Sequence, residues 1–304
     1  MAKIISGTAI AETMRAEIAE EAAAFLKESG QRPGLATVLV GEDPASQQYV
    51  RMKGRAADKA GFLSRGIVLP ADTPQDELLG VVEGLNADAE IHGILVQLPL
   101  PKHMDETAIL LSIDPAKDVD GFHPLNAGKL AGGDEDVLAP CTPAGIVEML
   151  LRSGYDPSGK HVVVVGRSNI VGRPMAYLLL RKGRGGDATV TVAHSRTKDL
   201  GAITRLADIL VVGIGRPFTV TGDMVKPGPV VIDVGSNRIE APDTEKGYRF
   251  VGDVDYEAVE AVAEAITPVP GGVGPMTITM LLKNTVEAAR RQHHSGRAEP
   301  AGVA

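Results

Sequence analysis

Val162-Val163-Val164-Val165-Gly166-Arg167-Ser168-Asn169-Ile170-Val171-Gly172-Arg173-Pro174 is the stretch that decides the fold. Four valines closed by a glycine predict a central buried strand, and the segment from Gly172 opens a helix. Glycines in a strand-to-helix turn let backbone approach a pyrophosphate seated on the helix N-terminus. The spacing is not G-x-G-x-x-G, and a tight turn without a ligand uses the same residues. Further strands are predicted at 189–193, 209–212 and 230–234, so this half reads as βα units around a parallel sheet.

The end of the next strand narrows the ligand. An NAD-specific fold places an acid there for the ribose 2′-hydroxyl, whereas this chain has Ala193-His194-Ser195-Arg196-Thr197. Ser195 and Arg196, with Arg167 from the first turn, offer donors and positive charge to a 2′-phosphate, which points to NADP.

Outward from this core, Ile10, Met14, Ile18, Ala22 and Phe25 recur at helical spacing up to Gly30, predicting an amphipathic helix closed by a glycine cap. A buried strand follows at 35–40. The turn Gly41-Glu42-Asp43-Pro44 leads into a helix that carries Tyr49 and Lys53 on one face and ends near Gly61. Thr73-Pro74-Gln75-Asp76 predicts another helix, with Thr73 as its cap and Pro74 at its first position. The strand at 93–96 then delivers Gln97 to its carboxyl end, where parallel sheets bind ligands. The pattern changes at Pro140-Cys141-Thr142-Pro143, a helix at 144–151 crosses between domains, and a final helix from 277 to about 291 carries Ile278, Leu281, Leu282, Val286 and Ala289 on one stripe.

Composition bounds the reading. The 304 residues are 44% apolar, enough for two buried cores. A net charge of −8 without a dense Lys/Arg block argues against a nucleic-acid surface. One cysteine, Cys141, excludes a disulfide framework and a multi-cysteine zinc site, and is expected to be a buried small apolar residue. The amino end lacks a cleavable leader pattern, and 18 uninterrupted apolar residues occur nowhere, so a soluble, intracellular and cytoplasmic protein is expected. Residues from His293-His294 onward are expected to form a frayed tail.

Four segments in order, Ser46-Gln47-Gln48-Tyr49-Val50-Arg51-Met52-Lys53, Gly93 to Pro101, Lys117-Asp118-Val119-Asp120-Gly121-Phe122-His123-Pro124, and Thr267-Pro268-Val269-Pro270-Gly271-Gly272-Val273-Gly274-Pro275-Met276-Thr277, closely resemble the bifunctional methylenetetrahydrofolate dehydrogenase/cyclohydrolase family. The resemblance covers about Gly41 to Thr285. It implies an α/β protein of two domains. A discontinuous folate-binding catalytic domain would span 1–140 plus 276–304, and a Rossmann-type NADP-binding domain with a parallel sheet would span 141–275. It implies oxidation of 5,10-methylenetetrahydrofolate with NADP and hydrolysis to 10-formyltetrahydrofolate, in one-carbon metabolism and purine biosynthesis, by a homodimer. Alternatives are a dehydrogenase without the hydrolytic step and a non-catalytic NADP-sensing protein.

The same resemblance implies Lys53, Tyr49, Gln97 and Asp120 as catalytic residues. Folate would meet these four together with Leu98, Pro99, Pro268, Pro270, Gly271, Gly272 and Val273. The cofactor would meet Gly166, Arg167, Ser168, Ile170, Ser195, Arg196 and Ser236, the last standing where the family commonly has isoleucine. Asp120 can accept two hydrogen bonds from an amino-pyrimidine edge, or it can cap the turn before Gly121. Lys53 must be neutral to act as a base, which burial beside a cationic substrate would favour. Tyr49 can stack on the pterin, hold Lys53 or pack in the core. His123 and His194 are expected to be structural.

Overall fold

The computed structural model describes residues 1–295 except Asp243, Glu245 and Lys246. In chain order the elements are β1 (Lys3–Ile4), α1 (Gly7–Ser29), β2 (Gly34–Val40), α2 (Pro44–Lys59), β3 (Leu63–Leu69), α3 (Gln75–Ala87), β4 (Gly93–Val96), α4 (Glu106–Ser112), α5 (Pro124–Ala131), α6 (Cys141–Arg152), β5 (His161–Val165), α7 (Gly172–Leu180), β6 (Thr189–Ala193), α8 (Leu200–Thr204), β7 (Ile209–Val212), β8 (Val230–Asp233), β9 (Asn237–Glu240), β10 (Tyr248–Val251), α9 (Tyr256–Glu260), β11 (Ala265–Ile266) and α10 (Val273–Ser295).

Two compact units divide the chain. One comprises Met1–Glu12, Leu130–Glu135 and Thr142–Thr277; the other comprises Thr13–Lys129, Asp136–Cys141 and the chain from Ile278. The expected boundaries at 140/141 and 275/276 differ from these by one and two residues. Two segments expected in the folate-binding domain differ more: Met1–Glu12, whose β1 pairs parallel with β11, and Leu130–Glu135 both group with the larger sheet.

In the first unit the strand order is β1-β11-β8-β7-β5-β6, every pairing parallel. β7 and β8 are buried along their whole length and β5 over its last four residues, as expected of strands covered on both faces. The valine run, read as central, is β5, flanked by β7 and by the partly exposed edge strand β6. The chain leaves β5 for β6 on one side and returns to β7 on the other, so the connections diverge at the carboxyl end of β5. That divergence is where open parallel sheets bind ligands. Val163, Val165, Leu210, Val212 and Val231 form much of the core. An antiparallel pair, β9 with β10, was not foreseen; Arg238 of β9 stacks 3.9 Å from the Tyr248 ring centroid.

In the second unit β3-β2-β4 form a parallel sheet. β2, in the middle, is buried at all seven residues, whereas the edge strand β3 is half-exposed. α1 ends where expected, the Gly30 N–H donating to the Leu26 carbonyl. Asp43 caps α2, its carboxylate accepting from the Ser46 N–H at 2.8 Å. The expected start of α3 is corrected: Pro74 is the cap position and no side chain caps that end. Lys117 serves the other end of α3, donating to the carbonyls of Leu85, Asn86 and Asp88 at 3.1, 2.8 and 2.8 Å. His293 and His294 are not a frayed tail but the last turn of α10, the His293 ring packing edge-on against Phe25. Residues from Gly296 onward, the rest of that expected tail, lie outside the described residues. Among the described residues no helix is long and apolar enough to cross a membrane.

His92 couples this unit to pH. Its Nδ1 accepts the Gly34 N–H at 2.9 Å and its ring meets Phe25 edge-on at 5.7 Å. Burial, reinforced by the Lys117 ammonium, pushes its pKa down from 6.5 to about 4. Between those values the unfolded chain binds a proton that the folded ring refuses, so stability present above pH 6.5 is lost as pH falls toward 4. His92→Asn keeps an acceptor for Gly34 and does not titrate. Urea unfolding at pH 7 and pH 5 should show the unsubstituted protein losing about 2 kcal/mol more than the variant. Equal losses would contradict this role.

Candidate active site

Two groups of residues stand out, one in each unit. In the unit with the smaller sheet, α2 presents Lys53, a lysine only 7% exposed. A buried ammonium or amine requires acceptors. Lys53 Nζ donates to Gln97 Oε1 at 3.0 Å, and the Gln97 amide nitrogen donates to the Leu98 carbonyl at 2.7 Å. The two bonds fix which end of the Gln97 amide faces the lysine. Gln97 sits one residue beyond β4, Leu98 is half-buried and Pro99, after a cis peptide bond, is exposed. Tyr49, one helical turn before Lys53, is 45% exposed, which rules out the core position.

Asp120 reaches the same place from a loop anchored on β4, where the Ile94 N–H donates to the Lys117 carbonyl at 2.8 Å. The turn-capping role that Asp120 could have played belongs to Asp118. The Asp118 carboxylate accepts from the N–H groups of Phe122 and His123 at 3.2 and 2.8 Å and from the Asn126 side chain at 2.9 Å. Asp120 is thereby left half-buried and uncommitted to the turn. Burial raises its carboxyl above the ordinary range, against the opposing pull of the Lys53 charge. Cys141 is buried as expected but not inert. Its thiol donates to the Val119 carbonyl at 3.3 Å and bonds to Asp120, and burial followed by the Asp120 charge pushes the thiol well up.

Asn284, from α10, completes the support by donating to the carbonyls of Val119 and Ala139, both at 2.9 Å. Sequence reading missed it, although an asparagine on the stripe of Leu281, Leu282 and Val286 is the kind of interruption that marks a buried polar function. The chemistry available here is an amine held by an amide carbonyl, a carboxyl with free acceptor capacity and an exposed aromatic ring.

In the other unit the turn after β5 is shaped by close approach. A Cβ on Gly166, whose φ is +136°, would lie 2.3 Å from the Gly213 carbonyl oxygen; one on Gly172 would lie 2.2 Å from the Gly166 oxygen. Only glycine lets the strand, the turn and α7 pack this tightly. Ser168 Oγ accepts the Val171 N–H at 3.1 Å, and Arg167, Ser168, Asn169 and Ile170 are exposed around the helix N-terminus. Ser195 and Arg196 are exposed at the end of β6, while His194 Nδ1 accepts the Arg196 N–H at 3.1 Å. His123 likewise has a local backbone partner, its Nδ1 accepting the Leu125 N–H at 3.1 Å. Ser236 is exposed just after β8. Pro268, Pro270, Gly271, Gly272 and Val273 also belong to this unit, with Val269–Pro270 cis and the Thr8 N–H bonded to the Gly271 carbonyl. Lys53, Gln97 and Asp120 are thus brought together, and Arg167, Ser195 and Arg196 share the carboxyl-end edge of the larger sheet.

Comparison with known proteins gives matches over most of the chain. Residues 5–120 match the tetrahydrofolate dehydrogenase/cyclohydrolase catalytic domain, and residues 140–293 match the NAD(P)-binding domain of the same family. A relative from Myxococcus xanthus, the bifunctional protein FolD 1, is 55% identical over 96% of this chain and 99% of its own length. The crystal structure of the bifunctional methylenetetrahydrofolate dehydrogenase/cyclohydrolase from Campylobacter jejuni is 47% identical, with a TM-score of 0.89 over 96% of this chain and 100% of that one. The Trypanosoma brucei enzyme, solved with NADP and an inhibitor, is 44% identical, with a TM-score of 0.90 over 98% and 99% of the two chains.

Proposed function

The chain belongs to the tetrahydrofolate dehydrogenase/cyclohydrolase family, and from that premise we propose that Lys53, Gln97, Asp120 and Tyr49 handle the folate while the turns after β5 and β6 hold the cofactor. The protein is a bifunctional, NADP-dependent enzyme that oxidises 5,10-methylenetetrahydrofolate to the methenyl form and hydrolyses that to 10-formyltetrahydrofolate. The observation that carries the site assignment is the Lys53 Nζ to Gln97 Oε1 bond of 3.0 Å beside the Asp120 carboxyl, which the turn leaves free of capping duty.

The residues present fit a dinucleotide: residues 167–170 leave the N-terminus of α7 open to a pyrophosphate, and Arg167, Ser195 and Arg196 are exposed for a 2′-phosphate. When bound, NADP accepts the hydride that leaves the methylene carbon. The remaining work falls to this chain's side chains. Asp120 accepts the paired donors of the amino-pyrimidine edge, which fixes the pterin in a plane, and Tyr49 stacks on it from the exposed face of α2. In hydrolysis the neutral Lys53 amine takes a proton from the water whose oxygen bonds to the methenyl carbon. The resulting ammonium returns that proton to N5 as the C–N5 bond breaks, and the hydroxyl on the former methenyl carbon releases its own proton to solvent as its C=O forms, leaving the formyl group on N10 and one proton released overall. Gln97 Oε1 accepts one amine N–H and so aims the lone pair. The proposal extends to a cytoplasmic homodimer supplying formyl groups for purine biosynthesis, supported by the family resemblance.

Lys53→Met keeps the approximate length and removes the base. Cyclohydrolase activity should fall by at least about 100-fold while measurable dehydrogenase activity survives. A folded variant that hydrolyses methenyltetrahydrofolate at the original rate would place the base elsewhere.

Arg167→Ala tests the cofactor assignment separately. With a charge-assisted hydrogen bond contributing roughly 1.5–3 kcal/mol, the Michaelis constant for NADP should rise by about tenfold or more and that for NAD should stay within about twofold. Equal changes for both cofactors would remove Arg167 from the 2′-phosphate site.

A further inference from the structure

Two aspartates, Asp233 at the carboxyl end of β8 and Asp253 just after β10, have no place in the chemistry above, yet they are among the most deeply buried charged residues of the first unit: Asp253 is 0% and Asp233 3% exposed. Their carboxylates accept from a ring of N–H donors. Asp253 Oδ2 accepts the N–H groups of Ile214 and Gly215 at 2.6 and 2.8 Å. Asp253 Oδ1 accepts the Arg216 N–H at 2.9 Å and the Asn237 side-chain amide at 2.7 Å. Asp233 accepts the N–H groups of Gly235, Asp253 and Val254 at 2.9, 3.0 and 3.0 Å. One carboxylate thus ties the loop after β7 to the loop after β8, and the second holds the backbone of the first.

The sequence is cut to fit this arrangement. A Cβ on Gly235 would lie 2.5 Å from Asp253 Oδ1, and one on Gly252 would lie 1.7 Å from Asp233 Oδ2. Neither aspartate reaches solvent, so neither can touch a ligand. What they control is where residues 213–216 and 234–237 stand, and these residues line the ends of the strands on the far side of β5 from β6.

That side has a definite meaning for an elongated dinucleotide. With the pyrophosphate at the turn after β5 and the 2′-phosphate at the end of β6, the second nucleotide has only the carboxyl ends of β7 and β8 to extend across. We propose that Asp253, seated on Asp233, is a positioning residue for the nicotinamide half of NADP, setting the loops 213–216 and 234–237 against it without contacting it. The inference rests on the cofactor placement proposed above.

The test separates the two halves of the cofactor. Adenosine 2′,5′-bisphosphate carries the adenine and 2′-phosphate but no nicotinamide. Asp253→Asn turns an NH2 toward donors whichever way the amide lies. Its affinity for NADP, titrated on the purified protein, should fall at least tenfold, while its affinity for the bisphosphate stays within twofold of the unsubstituted protein. Circular dichroism and thermal unfolding establish that the variant is folded. If it is not, Asn237→Ala, which leaves the carboxylate in place and removes one donor, decides: NADP affinity should fall at least threefold with bisphosphate affinity unchanged. Equal losses for both ligands, or unchanged NADP affinity in the folded variant, would overturn the proposal. Failure of the unsubstituted protein to bind the bisphosphate would instead overturn the placement of the 2′-phosphate.

Discussion

A lysine amine taken out of water has to be met by acceptors, and the smaller unit is organised around meeting that of Lys53. The helix that carries it is capped by Asp43 and packed through Val50 and Ala57. The acceptor, Gln97, is delivered by a strand that is buried along its length, and its other end is locked on the Leu98 carbonyl. Asp120 is held by a loop whose own needs are met by Asp118, Cys141 and Asn284. Each of these supporting bonds spares a functional atom from a structural duty.

The larger unit solves a different problem with the same economy. On a chain of net charge −8, its turn after β5 and the end of β6 expose Arg167, Ser195 and Arg196 around a helix terminus. Packing strand, turn and helix together requires glycine at 166 and 172, where a Cβ would collide with backbone oxygen of the protein itself. Burying Asp233 among backbone donors costs desolvation, which pushes its carboxyl up to about 6, and the return is a defined path for the loops that follow β7 and β8.

The strands β2, β4, β5, β7 and β8 were legible because they are apolar runs with glycine or proline close by, β6 because Thr189 to Ala193 is rich in β-branched residues, and α1 because its stripe repeats at helical spacing. β3 was not, since Leu63-Ser64-Arg65-Gly66 is polar on an edge strand that needs no continuous apolar run. The hairpin of β9 and β10 escaped for the same reason. The candidate site was legible through family motifs, which picked out Tyr49, Lys53, Gln97 and Asp120, but the division of labour between Asp118 and Asp120 was not. Both are aspartates two residues apart, and only the direction of the Phe122 and His123 N–H groups assigns the turn to Asp118. The roles of Lys117, Asn284 and Asp253 were invisible because their partners, mostly backbone groups, are brought close only by folding, which no spacing in the chain records.

The central claim is that this network frees Asp120 to bind folate. Titration of the purified protein with a stable tetrahydrofolate analogue and with NADP, before and after Asp120→Asn, tests it most directly, because the substitution keeps shape and removes the charge-assisted acceptor. The account predicts that folate-analogue affinity falls at least tenfold while NADP affinity is unchanged. Folate-analogue affinity within twofold of the unsubstituted protein would contradict it.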